Sequence, residues 1–334
     1  MSAPDPTLPD QGAPDYRSLE QAAEWFATLG DEDVSAAEHE AWRRWLEANP
    51  RHRRAWDYVE SVGRRFGRLR ADGDPDLAGG ALDRVREHRL SRRQALKGLA
   101  VLATGGALGW AGWRHSPLPE LARAWRADYH TPVGGRRALT LDDGTRVWLN
   151  TNSALNVDFD RRRRRLTLVA GEVLVDTGAD PRPLWLATGA GELRPLGTRF
   201  RVRRDGDGTE VAVYQGAVRV RAAASGAERT VPAGRRTRFD GRRIAPLVDA
   251  DPARQAWTRG LLIAEERPLG ELVAELARYR HGHLAVDPAV AGLPVMGTYP
   301  LDDTDRALAM LEAALPVRVR RRLPWWVTLE PAAD

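Results

Sequence analysis

A run without charge, Gly98-Leu-Ala-Val-Leu-Ala-Thr-Gly-Gly-Ala-Leu-Gly-Trp-Ala-Gly-Trp113, interrupts a chain in which 29% of residues are charged. A helix made of such a run must find either a protein core or a hydrocarbon layer. Counted from Ala95 it has the length of a short membrane span, because Lys97, the only lysine, can carry its ammonium to the interface. Arg84, Arg86, Arg89, Arg92 and Arg93 crowd its N-terminal side, and Trp110 and Trp113 mark its far end. Basic residues belong on the cytoplasmic side of a span and tryptophans at an interface. The expectation is one transmembrane helix within 91–113, with residues 1–90 inside and 114–334 outside. A buried helix of a soluble domain is the alternative. Ser91-Arg-Arg-Gln-Ala-Leu-Lys97 also resembles a twin-arginine export signal through Arg92 and Arg93, although Ala95 stands where a large apolar residue is usual. An arginine-rich stop-transfer flank explains the same residues.

At 334 residues the chain is long enough for two or more domains. Residues 1–15, rich in Pro, Asp and Gly, read as a disordered tail. From Tyr16 the apolar period becomes helical: Ala22, Trp25, Phe26 and Leu29 share a face, and Gly30 is placed to stop the helix. Ser35-Ala-Ala-Glu38 is a capping box opening a helix with Trp42, Trp45 and Leu46, which Asn49-Pro50 ends. A third helix aligns Ala55, Val59, Val62, Phe66 and Leu69. The pattern predicts a small all-α bundle over 16–70, followed by a linker over 71–90.

After a second linker, 114–127, the period changes to two. Arg136–Leu141 and Thr145–Leu149 flank Asp142-Asp143-Gly144, a hairpin signal. Short strands follow at 166–169, 172–175, 184–187, 199–203, 211–214 and 218–221. Gly171-Glu-Val-Leu-Val and Gly216-Ala-Val-Arg-Val echo one another, so an all-β roll or sandwich is expected over 128–248. Arg161–Arg165 reads as a solvated turn between strands. Over 249–334 the order is strand (261–263), helix (269–279), strands (283–286, 295–299), helix (301–315) and a closing hairpin (317–320, 326–329). This is a small α+β module.

Composition excludes several functions. The absence of Cys removes disulfides, thiol nucleophiles and Cys-ligated zinc. Net charge is +5, yet Asp and Glu offset the arginines of the helical segment, so direct nucleic-acid binding is not expected. No phosphate-binding loop, dinucleotide fingerprint or Gly-x-Ser-x-Gly elbow is present. His281-Gly-His283 is the nearest approach to a metal-ligand spacing among the 7 histidines, and it reads as incidental. Neither a cofactor nor an enzymatic activity is expected.

Together these pieces resemble the FecR family of iron-uptake regulators. Ala23-Glu-Trp-Phe-Ala, Trp42-Arg-Arg-Trp45-Leu and Asn49-Pro-Arg-His-Arg-Arg-Ala-Trp56 are similar to its cytoplasmic anti-sigma domain. Thr131-Pro-Val-Gly-Gly, Leu139-Thr-Leu-Asp-Asp-Gly-Thr-Arg-Val-Trp-Leu-Asn150, Leu196-Gly-Thr-Arg-Phe-Arg-Val202 and Val213-Tyr-Gln-Gly-Ala-Val218 are similar to its central domain. The last unit, with Pro268-Leu269 and Arg278-Tyr279, resembles the short module shared by secretins and TonB-dependent receptors.

The resemblance implies a single-pass inner-membrane protein, its N-terminus cytoplasmic and its C-terminus periplasmic. The helical bundle would hold an extracytoplasmic-function sigma factor. The outer part would read the signalling domain of a TonB-dependent outer-membrane receptor, in control of iron or siderophore uptake. Periplasmic and intramembrane proteases would relay the signal. Trp25, Trp42, Trp45 and Trp56 are the candidate sigma-factor anchors, since a bundle this small carries more aromatic surface than it readily buries. Some family members cleave themselves at a Gly-Thr bond, and the matching pair here is Gly197-Thr198. A membrane-anchored interaction protein without sigma-factor control is the other reading.

Overall fold

The computed structural model describes residues 16–30, 34–71, 127–206 and 208–332. The N-terminal tail, most of both linkers, and the uncharged run with Arg92 and Arg93 lie outside the described residues.

Three helices open the chain: α1 (Tyr16–Leu29), α2 (Ala36–Ala48) and α3 (Pro50–Ala71). The capping box forms as the sequence dictates. The Ser35 hydroxyl accepts from the Glu38 amide, and the Glu38 carboxylate accepts from the Ser35 amide at 2.8 Å. Asn49, extended, ends α2, and its side chain accepts from the Arg51 amide at the start of α3. The core of this unit is thin: Ala22 and Ala23 of α1 face Ala55 and Val59 of α3, and no residue of α2 is buried.

The central region is a sandwich of two seven-stranded sheets. One sheet has the order β1 (Tyr129–His130), β4 (Ala154–Phe159), β5 (Arg164–Ala170), β7 (Leu184–Thr188), β8 (Gly191–Pro195), β11 (Ala217–Ala222), β12 (Glu228–Pro232). The other runs β14 (Val248–Asp249), β13 (Arg235–Phe239), β10 (Gly208–Gln215), β9 (Arg199–Asp205), β6 (Glu172–Asp176), β3 (Arg146–Leu149), β2 (Arg137–Thr140). Leu149, Leu155, Leu166, Val173, Phe200 and Val220 fill the space between them. The Gly171 and Gly216 echo has a structural meaning. Each glycine turns the chain from one sheet into the other, at φ +80° and +73° respectively. A Cβ at Gly171 would lie 2.2 Å from the Ser153 hydroxyl, so glycine is required there.

The C-terminal module pairs β15 (Leu261–Pro268) with β17 (Pro294–Pro300), and sets β16 (His283–Val286) beside β19 (Trp326–Pro331) and β18 (Val317–Leu323). Helices α4 (Leu269–Leu276) and α5 (Thr304–Ala314) cover them, burying Leu272, Leu276, Leu308 and Leu311. Leu174 of β6 belongs to this same core, and Trp148 and Tyr214 pack against it.

The expected single-spanning architecture is corrected in two respects. Among the described residues no helix is long and apolar enough to cross a membrane. Helix α3 has the length, at 22 residues, but Arg, Asp and Glu recur along it. Secondly, the helical unit does not stand apart from the C-terminal module. Trp325 and Trp326, at the tip of the β18–β19 hairpin, share a core with Ala22, Ala23, Ala55 and Val59. Arg322 pairs with Glu20 at 3.0 Å and with Glu24. The apolar indoles need cover, and the alanine faces of α1 and α3 provide it.

Candidate functional site

Three places gather the residues singled out by the sequence. The first is the row of aromatic rings on the helical unit. Trp42 of α2 meets Trp56 of α3 at 5.0 Å between centroids; Trp56 meets Phe26 at 5.9 Å; Phe26 meets Trp325 edge-on at 5.4 Å. Trp45 lies in a separate contact, stacked on His52 at 4.5 Å, and its indole N–H donates to the Gln21 side chain at 3.0 Å. Trp25 is half-buried and takes no part in this row. None of the four candidates is fully buried. The Trp42 N–H is moreover enclosed without a hydrogen-bond acceptor. An indole donor left unpaired costs about 1–3 kcal/mol. Large rings left partly exposed have the properties of an anchor for a partner surface.

The second place is the turn before β9. Gly197 sits at φ +66°, where a side chain would be strained. Its carbonyl oxygen lies so close to Gly216 that a Cβ there would approach it to 2.4 Å. The Thr198 amide donates to the Thr177 hydroxyl at 2.8 Å, and the Thr198 carbonyl accepts from the Thr177 amide at 3.0 Å. Thr198 is thus held at both its amide and its carbonyl, while its buried hydroxyl has no hydrogen-bond partner. Beside it opens a cavity of about 380 Å³ whose wall includes Arg164, Asp180, Arg182 and Gly197. Hydrogen bonds from Arg182 hold Asp180 far below the usual carboxylate range, so it is a weak base. No histidine lines this cavity.

The third place was not legible as a site in the sequence. Glu172, fully buried, accepts from Arg278 at 2.7 Å, Arg201 at 3.3 Å and Asn150 at 3.2 Å. Arg201 also pairs with Glu210, while Glu275 pairs with Arg278 and, at 2.9 Å, with Arg203. The Tyr279 hydroxyl donates to Asn150 at 2.8 Å, and the Thr151 hydroxyl donates to the Arg278 carbonyl at 3.0 Å. This network ties the sandwich to α4. Two motif fragments noted separately, Leu149-Asn150 and Arg278-Tyr279, meet in it. Burial opposes the charge on Glu275, but Arg278 and Arg203 more than reverse that, pulling its pKa down to about 2. Burial pushes the Tyr279 phenol well up. Acidic and basic residues at even spacing on strands gave no signal, because only the tertiary fold buries them.

His283, half of the pair noted above, stacks on Trp326 at 3.8 Å, and burial lowers its pKa to about 4. It is a neutral packed ring at the junction with the helices. Arg161–Arg165 separates in function: Arg164 is buried in ion pairs with Asp143 and Asp180, whereas Arg161, Arg162 and Arg163 are exposed on the turn.

Comparison with known proteins places these features. Residues 127–219 match the family model described as FecR protein, and residues 20–62 match a domain of unknown function, DUF4880. Two crystal structures of a candidate anti-sigma factor from Parabacteroides distasonis ATCC 8503, at 1.65 and 2.50 Å resolution, share the fold. Each is 20% identical with a TM-score of 0.50, covering 61% of this chain and 99% or 98% of its own. No curated protein matches the chain.

Proposed function

The chain belongs to the FecR family, and on that premise we propose that its α1–α3 unit is an anti-sigma domain which binds an extracytoplasmic-function sigma factor. The sandwich and C-terminal module form the sensor arm, whose partner is the signalling domain of a TonB-dependent receptor, in the control of iron or siderophore uptake. The observation that carries this reading is the aromatic row on the helices, where Trp42 and Trp56 meet at 5.0 Å and each stays partly exposed. It falls within residues 20–62, the segment matched by the N-terminal domain model. A helix of a sigma factor laid across α2 and α3 would cover the part of these rings that the fold leaves exposed.

Calorimetry of the full chain against extracytoplasmic-function sigma factors tests it. One of them binds one-to-one at micromolar Kd or tighter, about −8 kcal/mol. Absence of binding to all of them, with salt-dependent binding to duplex DNA instead, rejects the reading.

The clamped Gly197–Thr198 peptide supports a second step, single-turnover self-cleavage. The free Thr198 hydroxyl attacks the Gly197 carbonyl carbon; the C–N bond breaks, its nitrogen takes a proton, and an ester joins the two residues. Water then hydrolyses the ester, leaving a Gly197 carboxylate and a Thr198 amine. Purified wild-type chain runs as two fragments on a denaturing gel, and Thr198→Ala as one. A single wild-type band overturns this step.

A further inference from the structure

Breaking the Gly197–Thr198 bond turns an amide nitrogen into an amine, so whatever touches that nitrogen acts on the reaction itself. One side chain is placed there. Thr177, half-buried just beyond the end of β6, accepts the Thr198 N–H with its hydroxyl at 2.8 Å. Its own amide donates to the Thr198 carbonyl at 3.0 Å, which fixes the two threonines in register. On the other side of the scissile bond, the Gly197 carbonyl oxygen and the Thr198 methyl group lie against Gly216. A Cβ added at Gly216 would come within 2.4 Å of the first and 2.7 Å of the second. Thr177 is also held from behind. The amide of the next residue, Gly178, donates to the Thr145 hydroxyl at 3.0 Å, and that hydroxyl donates to Asp143 at 2.7 Å. Asp143 is in turn buried in an ion pair with Arg164. A hydroxyl carried on so restrained a segment is placed before the reaction begins. Thr177 and Gly197 both belong to the wall of the cavity of about 380 Å³.

The hydrogen bond to Thr177 changes character as the peptide breaks. In the intact chain its donor is a neutral amide. Once the Thr198 hydroxyl has added to the Gly197 carbonyl carbon, the nitrogen loses its conjugation and becomes basic. It takes up the proton that the hydroxyl gives up, and so becomes a charged donor opposite the new oxyanion. The carbonyl then re-forms as the ester, the C–N electron pair stays with nitrogen, and the step is balanced. A hydrogen bond from a charged donor is roughly twice as strong as one from a neutral donor. An interaction that strengthens on the way to the transition state lowers the barrier. We propose that Thr177 is a catalytic residue of the self-cleavage step, its hydroxyl stabilising the departing Thr198 nitrogen. This role presupposes self-cleavage at Gly197–Thr198.

Full-length chain made by cell-free synthesis, followed over time on a denaturing gel, gives the rate of conversion to two fragments. Thr177→Val keeps the shape and removes the hydroxyl, and it slows conversion about tenfold, the worth of one such hydrogen bond. Thr177→Ser restores the hydroxyl and converts at the wild-type rate. Leu155→Ala controls for a purely structural role. It truncates the core in β4, three places from β8 in that sheet, and lowers the denaturant midpoint while conversion of the folded chain keeps its wild-type rate. Should Thr177→Val fail to fold, Thr177→Ala takes its place with the same expectation, set against Thr177→Ser. The proposal is overturned if Thr177→Val keeps the wild-type rate, or if Thr177→Ser is as slow as Thr177→Val. It is overturned too if Leu155→Ala slows conversion as much as Thr177→Val does, since loss of stability then explains both. A wild-type chain that stays whole removes self-cleavage itself and the role of Thr177 with it. A wild-type chain that converts while Thr177→Val keeps pace removes only the role of Thr177.

Discussion

Phe200 of the sandwich is fully buried, whereas Trp25, Trp42, Trp45 and Trp56 of the helical unit each keep part of the ring in water. Both regions are rich in large apolar residues. Two seven-stranded sheets face one another and enclose what lies between them. Three short helices expose too much surface for their volume, and α2 buries nothing completely. Large side chains therefore do different work in the two regions: in the sandwich they hold the fold, and on the helices, under the proposed function, they serve a partner.

That contrast is open to direct attack. The largest effect is expected at the buried seam, where Glu172→Gln leaves Arg201 and Arg278 short of an anionic partner. Breaking a buried pair costs about 3–5 kcal/mol, read as a lowered denaturant midpoint. Phe200→Ala is expected to cost about 3–4 kcal/mol through the cavity it leaves. If its loss proved below 1 kcal/mol, the sandwich core would be as loose as the helices.

Acid should dissolve the seam before the core. Because the folded pKa of Glu275 is lowered from 4.5 to about 2, its stabilisation is complete above about pH 4.5 and is lost as pH falls toward 2. The contribution is on the order of 3 kcal/mol at neutral pH. In Glu275→Gln the slope of stability against pH flattens within that window. A slope unchanged from wild type would mean that Glu275 is not charged in the fold.

Smallest in stability is Trp42→Ala, at about 1 kcal/mol, yet sigma-factor binding should weaken by 2 kcal/mol or more. Equal losses in both measurements would place Trp42 among core residues, and the contrast between the regions would fail.

Much of the local structure could be read from the chain. The capping box at Ser35 and Glu38, the break at Asn49-Pro50, the Asp142-Asp143-Gly144 turn and the paired helices of the last unit all rest on contacts within a few residues. Strands β4, β8, β12 and β13 escaped notice, although Leu155, Val157 and Phe159 of β4 alternate as a strand should. Short strands rich in arginine mask the period-two signal, because only one face needs to be apolar. Trp42, Trp45 and Trp56 were visible as candidates, but which rings meet was not. Gly197 and Thr198 were visible as a pair, but not the Thr177 clamp that leaves the Thr198 hydroxyl free.

Periodicity, caps and turns fixed which segments became helix or strand, since those choices depend on near neighbours and on one buried face. The tertiary structure alone decided what those faces met: Asn150 with Tyr279, Glu172 with Arg278, Trp325 and Trp326 with α1 and α3. These partners are separated by more than a hundred residues, apart from the short Trp325–Trp326 step itself. A charge buried by a distant strand has the same local sequence as one left in water. Its pairing, its pKa and the unmet donors at Arg136 and Trp257 arise only once the low-dielectric interior has been closed around them.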